Sequence, residues 1–431
     1  MRKIGVKKVL LLAVLACAIV SCKHDEPEFV NFGTYKNLGR RFLPVRESTT
    51  DIMDEAPWER FEEEVEFGDD GQLMQKGNAP ATRATSVTQT DLFRELISTF
   101  TSRKIHQVAG IYESVDIHGN PICVSGKFFY PKNEPMKNLI IVSHYTIGAN
   151  HEAPSETFSF EGIFAALGYG VVMADYIGFG VTVDSIHPYL QAETTARNVI
   201  DMALAVRPFI AERGLQVESD EIILLGYSQG GATTLHVQRL LETYPEYEGL
   251  FKIKKNYAGA GPYDIARTYD YCVKKDNTGI PCAIPMIIQG MSLGMDKPLD
   301  MSYFFKEPLL SNYTDWLNSK QYTVNQISTL IGVNRLSAIL TENGIDRTKA
   351  ETARFYLELT QNSIPRSFKP KAPLYMFHSE DDPTVPFVNS QLMQRQFKLN
   401  SPNVEYDFDH YGNHMKGAIK FLLKVAKELK K

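Results

Sequence analysis

The sequence predicts an α/β protein in which a mostly parallel sheet is flanked by helices and interrupted, after its sixth strand, by a helical cap. Three observations carry this prediction. Short apolar runs of the kind buried on both faces recur at residues 139–142, 170–174 and 221–225. Helical periodicities alternate with them, at residues 193–213 and 232–243. Finally, roughly a hundred residues part the strand-like segments 256–261 and 374–378, too many for a structureless loop.

Taken in order, residues 1–21 read as an export signal. Arg2, Lys3, Lys7 and Lys8 form a positive head, and residues 9–20 are an unbroken apolar run too short for a stable membrane span. The end of this segment, Ile19-Val20-Ser21-Cys22, resembles the lipobox of bacterial lipoproteins. That resemblance implies a mature chain starting at Cys22 with a diacylglycerol on its sulfur; an ordinary cleaved signal beside a chance cysteine is the plainer alternative. Lys23 next to it resembles outer-membrane sorting, so the expectation is an exported lipoprotein anchored to the outer membrane on its periplasmic or cell-surface side. Loss of the four cations with the signal takes the net charge from −5 to −9. Residues 22–90 are rich in charge and poor in periodic apolar patterning, and read as a tether.

Ordered structure is expected from Asp91. Residues 105–115 and 122–130 are strand-like and joined by Asp116-Ile117-His118-Gly119-Asn120-Pro121, whose turn chemistry suits an antiparallel entry to the sheet. The three buried runs and their intervening helices then require parallel strands with right-handed crossovers. In the first helix Ala196, Val199, Ile200, Ala203, Leu204 and Val206 recur at helical spacing. Residues 264–367 carry helical patterns at 284–293, 324–331 and 349–360 and read as the cap. Residues 91–263 and 368–431 form the core, the latter ending with an edge strand at 404–408 and an amphipathic helix at 416–430.

Composition narrows the function classes. With 431 residues, 43% hydrophobic and 23% charged, the chain is an ordinary globular protein, and its scattered charge offers no cationic surface for nucleic acid. Of five cysteines, Cys17 leaves with the signal and Cys22 would carry lipid. Cys123, Cys272 and Cys282 remain: a short Cys272–Cys282 disulfide with Cys123 as a buried thiol, and three free thiols, both fit the spacing. His144, His151 and His187 are too dispersed for a metal site, and neither metal nor cofactor is expected.

The strongest chemical signal is Gly226-Tyr227-Ser228-Gln229-Gly230-Gly231, directly after one apolar strand and before a helix. A serine on such a sharp turn is lifted clear of the sheet, and Gly226 and Gly230 are demanded by the close approach of backbone on either side. Because a serine hydroxyl is a poor nucleophile near neutral pH, it needs a base and a carboxylate to orient that base. In the order serine, acid, histidine, the acid falls in His378-Ser379-Glu380-Asp381-Asp382-Pro383-Thr384-Val385-Pro386. This stretch resembles the acid loop of α/β hydrolases, whose register selects Asp382, with Asp381 as rival and Ser379 where glycine is common. For the base, His414 opens the final helix, while His410 is in phase with Val404, Tyr406 and Phe408 and reads as a packed structural residue. The developing oxyanion needs two donors: the amide of Gln229, and one from Ser143-His144-Tyr145-Thr146-Ile147-Gly148. That loop resembles the His-Gly loop of lipases and esterases with Tyr145 in place of glycine; the amide or hydroxyl of Tyr145, or the amide of Thr146, is the second donor.

Beyond these residues, Gly170-Val171-Val172-Met173-Ala174-Asp175-Tyr176-Ile177-Gly178-Phe179-Gly180 and His187-Pro188-Tyr189-Leu190 resemble secretory lipases and related bacterial esterases of the α/β-hydrolase superfamily. The resemblance runs from about residue 105 to the end, excluding most of the insertion. It implies a carboxylic-ester hydrolase working through an acyl-enzyme, a small-molecule ester or lipid as substrate, and a helical lid. A capped aminopeptidase-like enzyme and a non-catalytic lipoprotein binding lipid or glycan are the competing readings.

Overall fold

The computed structural model describes residues 41–51, 72, 89–100, 103–399 and 401–431. The expected export signal, Cys22 and most of the expected tether lie outside the described residues. Nine strands form one sheet: β1 Leu43–Asp51, β2 Lys104–Val115, β3 Pro121–Pro131, β4 Leu139–Ser143, β5 Gly170–Ala174, β6 Glu221–Tyr227, β7 Lys252–Gly259, β8 Leu374–Ser379 and β9 Val404–Asp409. They are ordered β1-β2-β3-β5-β4-β6-β7-β8-β9. The β1–β2, β2–β3 and β3–β5 pairs are antiparallel, and every pair from β5 to β9 is parallel. The fold is the expected α/β arrangement, a mostly parallel sheet flanked by helices.

The period of two along the central strands decides which face each residue serves. Ile140, Val142, Val171, Met173, Ile223 and Leu225 share one core with residues 419–429, while Ile141, Val172, Ile222 and Leu224 share another with residues 196–210 and 237–241. Helix α1 (Gln89–Ser98) lies on the first face, and α2 (Ala192–Glu212) and α3 (Gln229–Thr243) on the second. With both faces covered, β4 and β5 are buried along their whole length, which is why they read as uninterrupted apolar runs.

Two expectations need correction. The segment read as a tether contributes a strand: β1 pairs with β2, anchored by Phe42, which is 3% exposed and packs edge-on against Phe209 with ring centroids 5.6 Å apart. Nearly all other side chains of β1 are exposed, so an edge strand without an apolar face left no periodic signal. In consequence the long insertion follows the seventh strand in chain order, not the sixth. The possible Cys272–Cys282 bridge is absent: both thiols are free and buried, and Cys123 is half-buried rather than buried.

Between β7 and β8 lie eight helices: α4 Ile265–Lys275, α5 Ala283–Leu293, α6 Met301–Phe304, α7 Leu309–Asn318, α8 Val324–Ile331, α9 Leu336–Ile339, α10 Glu342–Ile345 and α11 Ala350–Gln361. They have an aromatic core of their own, in which Tyr269, Phe304, Phe355 and Tyr356 meet edge to face. This core takes in Tyr189 and Leu190 from the sheet side, and a side chain on Gly290 would overlap the Tyr189 backbone, so the contact is close. Helices α12 (Val388–Phe397) and α13 (His414–Leu429) complete the chain.

Candidate active site

Strand β6 ends at Tyr227 and α3 begins at Gln229, leaving Ser228 alone on the turn with φ 58° and ψ −125°. A non-glycine residue held there costs about 1–3 kcal/mol, which the surroundings must supply. They do so sterically and by hydrogen bonding. A Cβ on Gly226 would overlap the carbonyl of Gly230, and one on Gly230 would overlap the carbonyl of Ser143. The Ser228 amide donates to the Gly259 carbonyl at 3.0 Å, tying the turn to the end of β7.

The other two candidates arrive from the last part of the chain. Asp382 follows β8 and His414 is the first residue of α13, whose N-cap Asn413 accepts from the Lys416 amide. His414 Nδ1 lies 2.6 Å from Asp382 Oδ2, and His414 Nε2 lies 2.8 Å from Ser228 Oγ. Burial alone would push the Asp382 carboxyl up. The charge of His414 and the hydrogen bonds from His378 and His414 outweigh it and hold the group well below the usual carboxylate range. An ionised Asp382 can only accept, so Nδ1 carries the proton and Nε2 accepts from the serine hydroxyl.

Several residues that fix this geometry had no role assigned to them by the sequence. Asp382 Oδ1 accepts from the amides of Thr384 and Val385 at 2.8 and 2.9 Å. Fully buried His378 lies 2.6 Å from Ser390 Oγ, 2.9 Å from the Val385 carbonyl and 3.3 Å from Asp382 Oδ2, so it braces the acid loop from beneath. Ser379 donates to the Gly412 carbonyl at 2.5 Å and accepts from the Tyr411 amide at 3.0 Å, joining the acid loop to the loop before α13. Its occurrence where glycine is common was the one available clue. Tyr227 donates to the His414 carbonyl at 2.9 Å and sets its ring 5.0 Å from the imidazole.

The two rivals are brought to each other instead of to Ser228. His410 Nδ1 lies 2.8 Å from Asp381 Oδ1, and the His410 side chain is 69% exposed. The bond to Asp381 raises the His410 pKa. The expectation of a packed His410 fails because β9 ends at Asp409, so the alternation of Val404, Tyr406 and Phe408 does not extend to it.

On the oxyanion side, the Gln229 side chain lies 3.3 Å from His187 Nε2, and His187 Nδ1 lies 2.7 Å from the Ile177 carbonyl. Burial, with Lys320 nearby, pushes His187 down to about 3, so the ring is neutral: Nδ1–H donates and Nε2 accepts from the amide. The loop after β4 reaches the N-terminus of α3, where Gly230 meets the carbonyls of Ser143 and His144. His144, stacked on Tyr176 at 3.9 Å and pushed down to about 4 by burial, is a wall of that loop. Tyr145, 40% exposed, and Thr146 line a cavity of about 660 Å³. Ser228 and His414 open into the same cavity, and Ile280, Thr323, Val324 and Ser328 of the insertion form its far side. Among the described residues no group of three His, Cys, Asp or Glu could hold a metal ion, and no helix is long and apolar enough to cross a membrane.

No curated protein matches the sequence significantly. Solved structures do match the fold. The rice cell wall degrading esterase LipA from Xanthomonas oryzae superposes with a TM-score of 0.67 at 21% identity, over 80% of this chain and 94% of that one. A candidate hydrolase of Legionella pneumophila gives 0.68 at 21% identity, over 80% and 95%. Candida antarctica lipase A in its closed state gives 0.55 at 15% identity, over 75% and 78%. These likenesses establish the α/β-hydrolase fold. The family model of the secretory lipases matches residues 158–421, more than half of the chain and the whole stretch from Ser228 to His414. The chain therefore belongs to the secretory lipase family, and it is a hydrolase.

Proposed function

We propose that the chain is a serine carboxylic-ester hydrolase in which Ser228 is the nucleophile, His414 the general base and Asp382 the residue that orients and charge-stabilises the imidazole. The observation that carries this reading is the unbroken line of short hydrogen bonds from Asp382 through His414 to Ser228, which ends at a serine on a positive-φ turn facing a cavity. Ser228 Oγ attacks the ester carbonyl while His414 Nε2 takes its proton; the tetrahedral oxyanion is met by the amides of Gln229 and Tyr145. Its collapse breaks the bond to the alcohol, which leaves with the proton from His414. A water molecule, deprotonated by the same imidazole, then attacks the acyl-enzyme and releases the acid.

Fluorophosphonate labelling tests this directly. Wild type is expected to label and to cleave nitrophenyl acyl esters, whereas Ser228→Ala should not label and His414→Ala should lose about three orders of magnitude in kcat/KM or more. Faster turnover of aminoacyl anilides than of acyl esters would replace the esterase reading by a peptidase. Residues 264–367 are proposed to act as the cap, supported by the insertion side chains that line the cavity. Export agrees with a secretory family. Anchoring through a lipidated Cys22, with residues 1–21 removed, is proposed from the sequence; Cys22→Ser should move the protein from the membrane fraction to the soluble one, and an unchanged distribution would refute the anchor.

A further inference from the structure

Glu161 is a buried carboxyl to which the mechanism above gives no task. It sits in the short helical stretch Phe160–Leu167, is 6% exposed and lines the same cavity as Ser228 and His414. Its Oε2 has no hydrogen-bond partner among the described residues. The other buried carboxyls among the described residues are satisfied. Asp175 accepts from the Ser125 hydroxyl at 2.5 Å and the Ser155 amide at 2.7 Å, and Asp201 accepts from the Ser114 hydroxyl at 2.7 Å. Leaving such an oxygen unpaired is costly, the more so if it is charged. Burial accordingly pushes the Glu161 carboxyl up to about 7.

No side chain among the described residues supplies the missing donor. Phe158, Phe160, Met173 and Leu422 line the cavity beside the hydroxyl-bearing Tyr145, Thr157 and Ser159, and no lysine or arginine lines it among the described residues. Because Glu161 lies on the cavity lining, a bound molecule is in a position to bring the donor. An ammonium group would first have to shed its water to reach a buried carboxyl, a cost that often exceeds the Coulombic return. A hydroxyl sheds less. It also suits the carboxyl in both protonation states, since the ionised form accepts from it and the neutral form can donate as well.

We propose that Glu161 is a specificity residue of the ester site, whose carboxyl binds a hydroxyl on the acyl or the alcohol part of the substrate, so that hydroxylated esters are selected over their plain counterparts. This rests on the Ser228 reading. The test measures kcat/KM for matched pairs: nitrophenyl esters of plain and ω-hydroxylated acids over a series of chain lengths, and glycerol against propyl esters of one acid. ω-Amino acyl esters form a third arm. Wild type should favour the hydroxylated member of at least one pair by about tenfold or more, as sites that hydrogen-bond a substrate hydroxyl do. The ratio should fall to near one in Glu161→Leu and be partly kept in Glu161→Gln. Because it is taken within each variant, a general loss of activity does not disturb it. Ratios near one in wild type for every pair, a preference that survives in Glu161→Leu, or stronger selection of the amino esters would each overturn the proposal. If wild type also failed to label with fluorophosphonate, the nucleophile assignment would fall first and this proposal with it; flat ratios with labelling intact would remove Glu161 alone.

Discussion

Protonation of single buried side chains governs what this site can do. Asp382 is held ionised against its own burial by His414 and His378, so its carboxylate persists far into acid. With Asp382 charged throughout the working range, the acid limb of kcat/KM should be a one-proton titration of imidazole; a pH–rate slope of two would mean that the carboxylate titrates alongside it. Glu161 behaves in the opposite sense. Its folded pKa is raised above the unfolded value, so the unfolded chain gives up this proton first and stability falls as pH rises from about 4.5 to about 7. Glu161→Gln removes that loss. Thermal melts should show the variant more stable than wild type at pH 8, by at most a few kcal/mol, with the gain gone near pH 4. An equal gain at both pH values would mean that Glu161 is not titrating in the fold.

Loops and turns, more than the strands, hold the three candidate groups in register, and this is where sequence reading met its limit. The turn at Ser228 was legible because its glycines are forced by backbone collisions that leave a trace in the chain itself. Choosing Asp382 over Asp381, or His414 over His410, depends on where two loops lie in space. No local pattern shows that Asp381 and His410 pair with each other. Tyr227 supports the site through a contact with distant His414 and His378 through the way the acid loop folds back over it, so neither role was visible beforehand. The Ser379 bridge between the acid loop and Gly412 gives a direct test: Ser379→Ala should lower kcat about tenfold with little change in KM, since a small displacement of His414 is felt mainly in the reacting geometry. Gly230→Ala, by contrast, drives a methyl into the Ser143 carbonyl and should yield little folded protein in a solubility assay.

Across the whole molecule, the parallel part of the sheet was readable from its apolar runs and the antiparallel β2–β3 pair from its turn chemistry, whereas the outermost strand β1 was not. β1 exposes nearly all its side chains and is held by backbone pairing and by Phe42, so nothing in its composition announced it. A chain starting at Asp91 would leave the long edge of β2 unpaired. It should melt several degrees lower than the longer protein and associate in gel filtration, whereas an unchanged melt would make the segment dispensable. The position of His414 has a temporal consequence. The proposed base opens α13, and all nine strands of the sheet precede it in the chain. During vectorial synthesis or translocation the strands and the serine turn are therefore laid down while the proposed base is still missing. On the proposed reading, hydrolytic competence waits for α13, and a product cut short before residue 414 would lack the base together with the α13 side chains that fill one core.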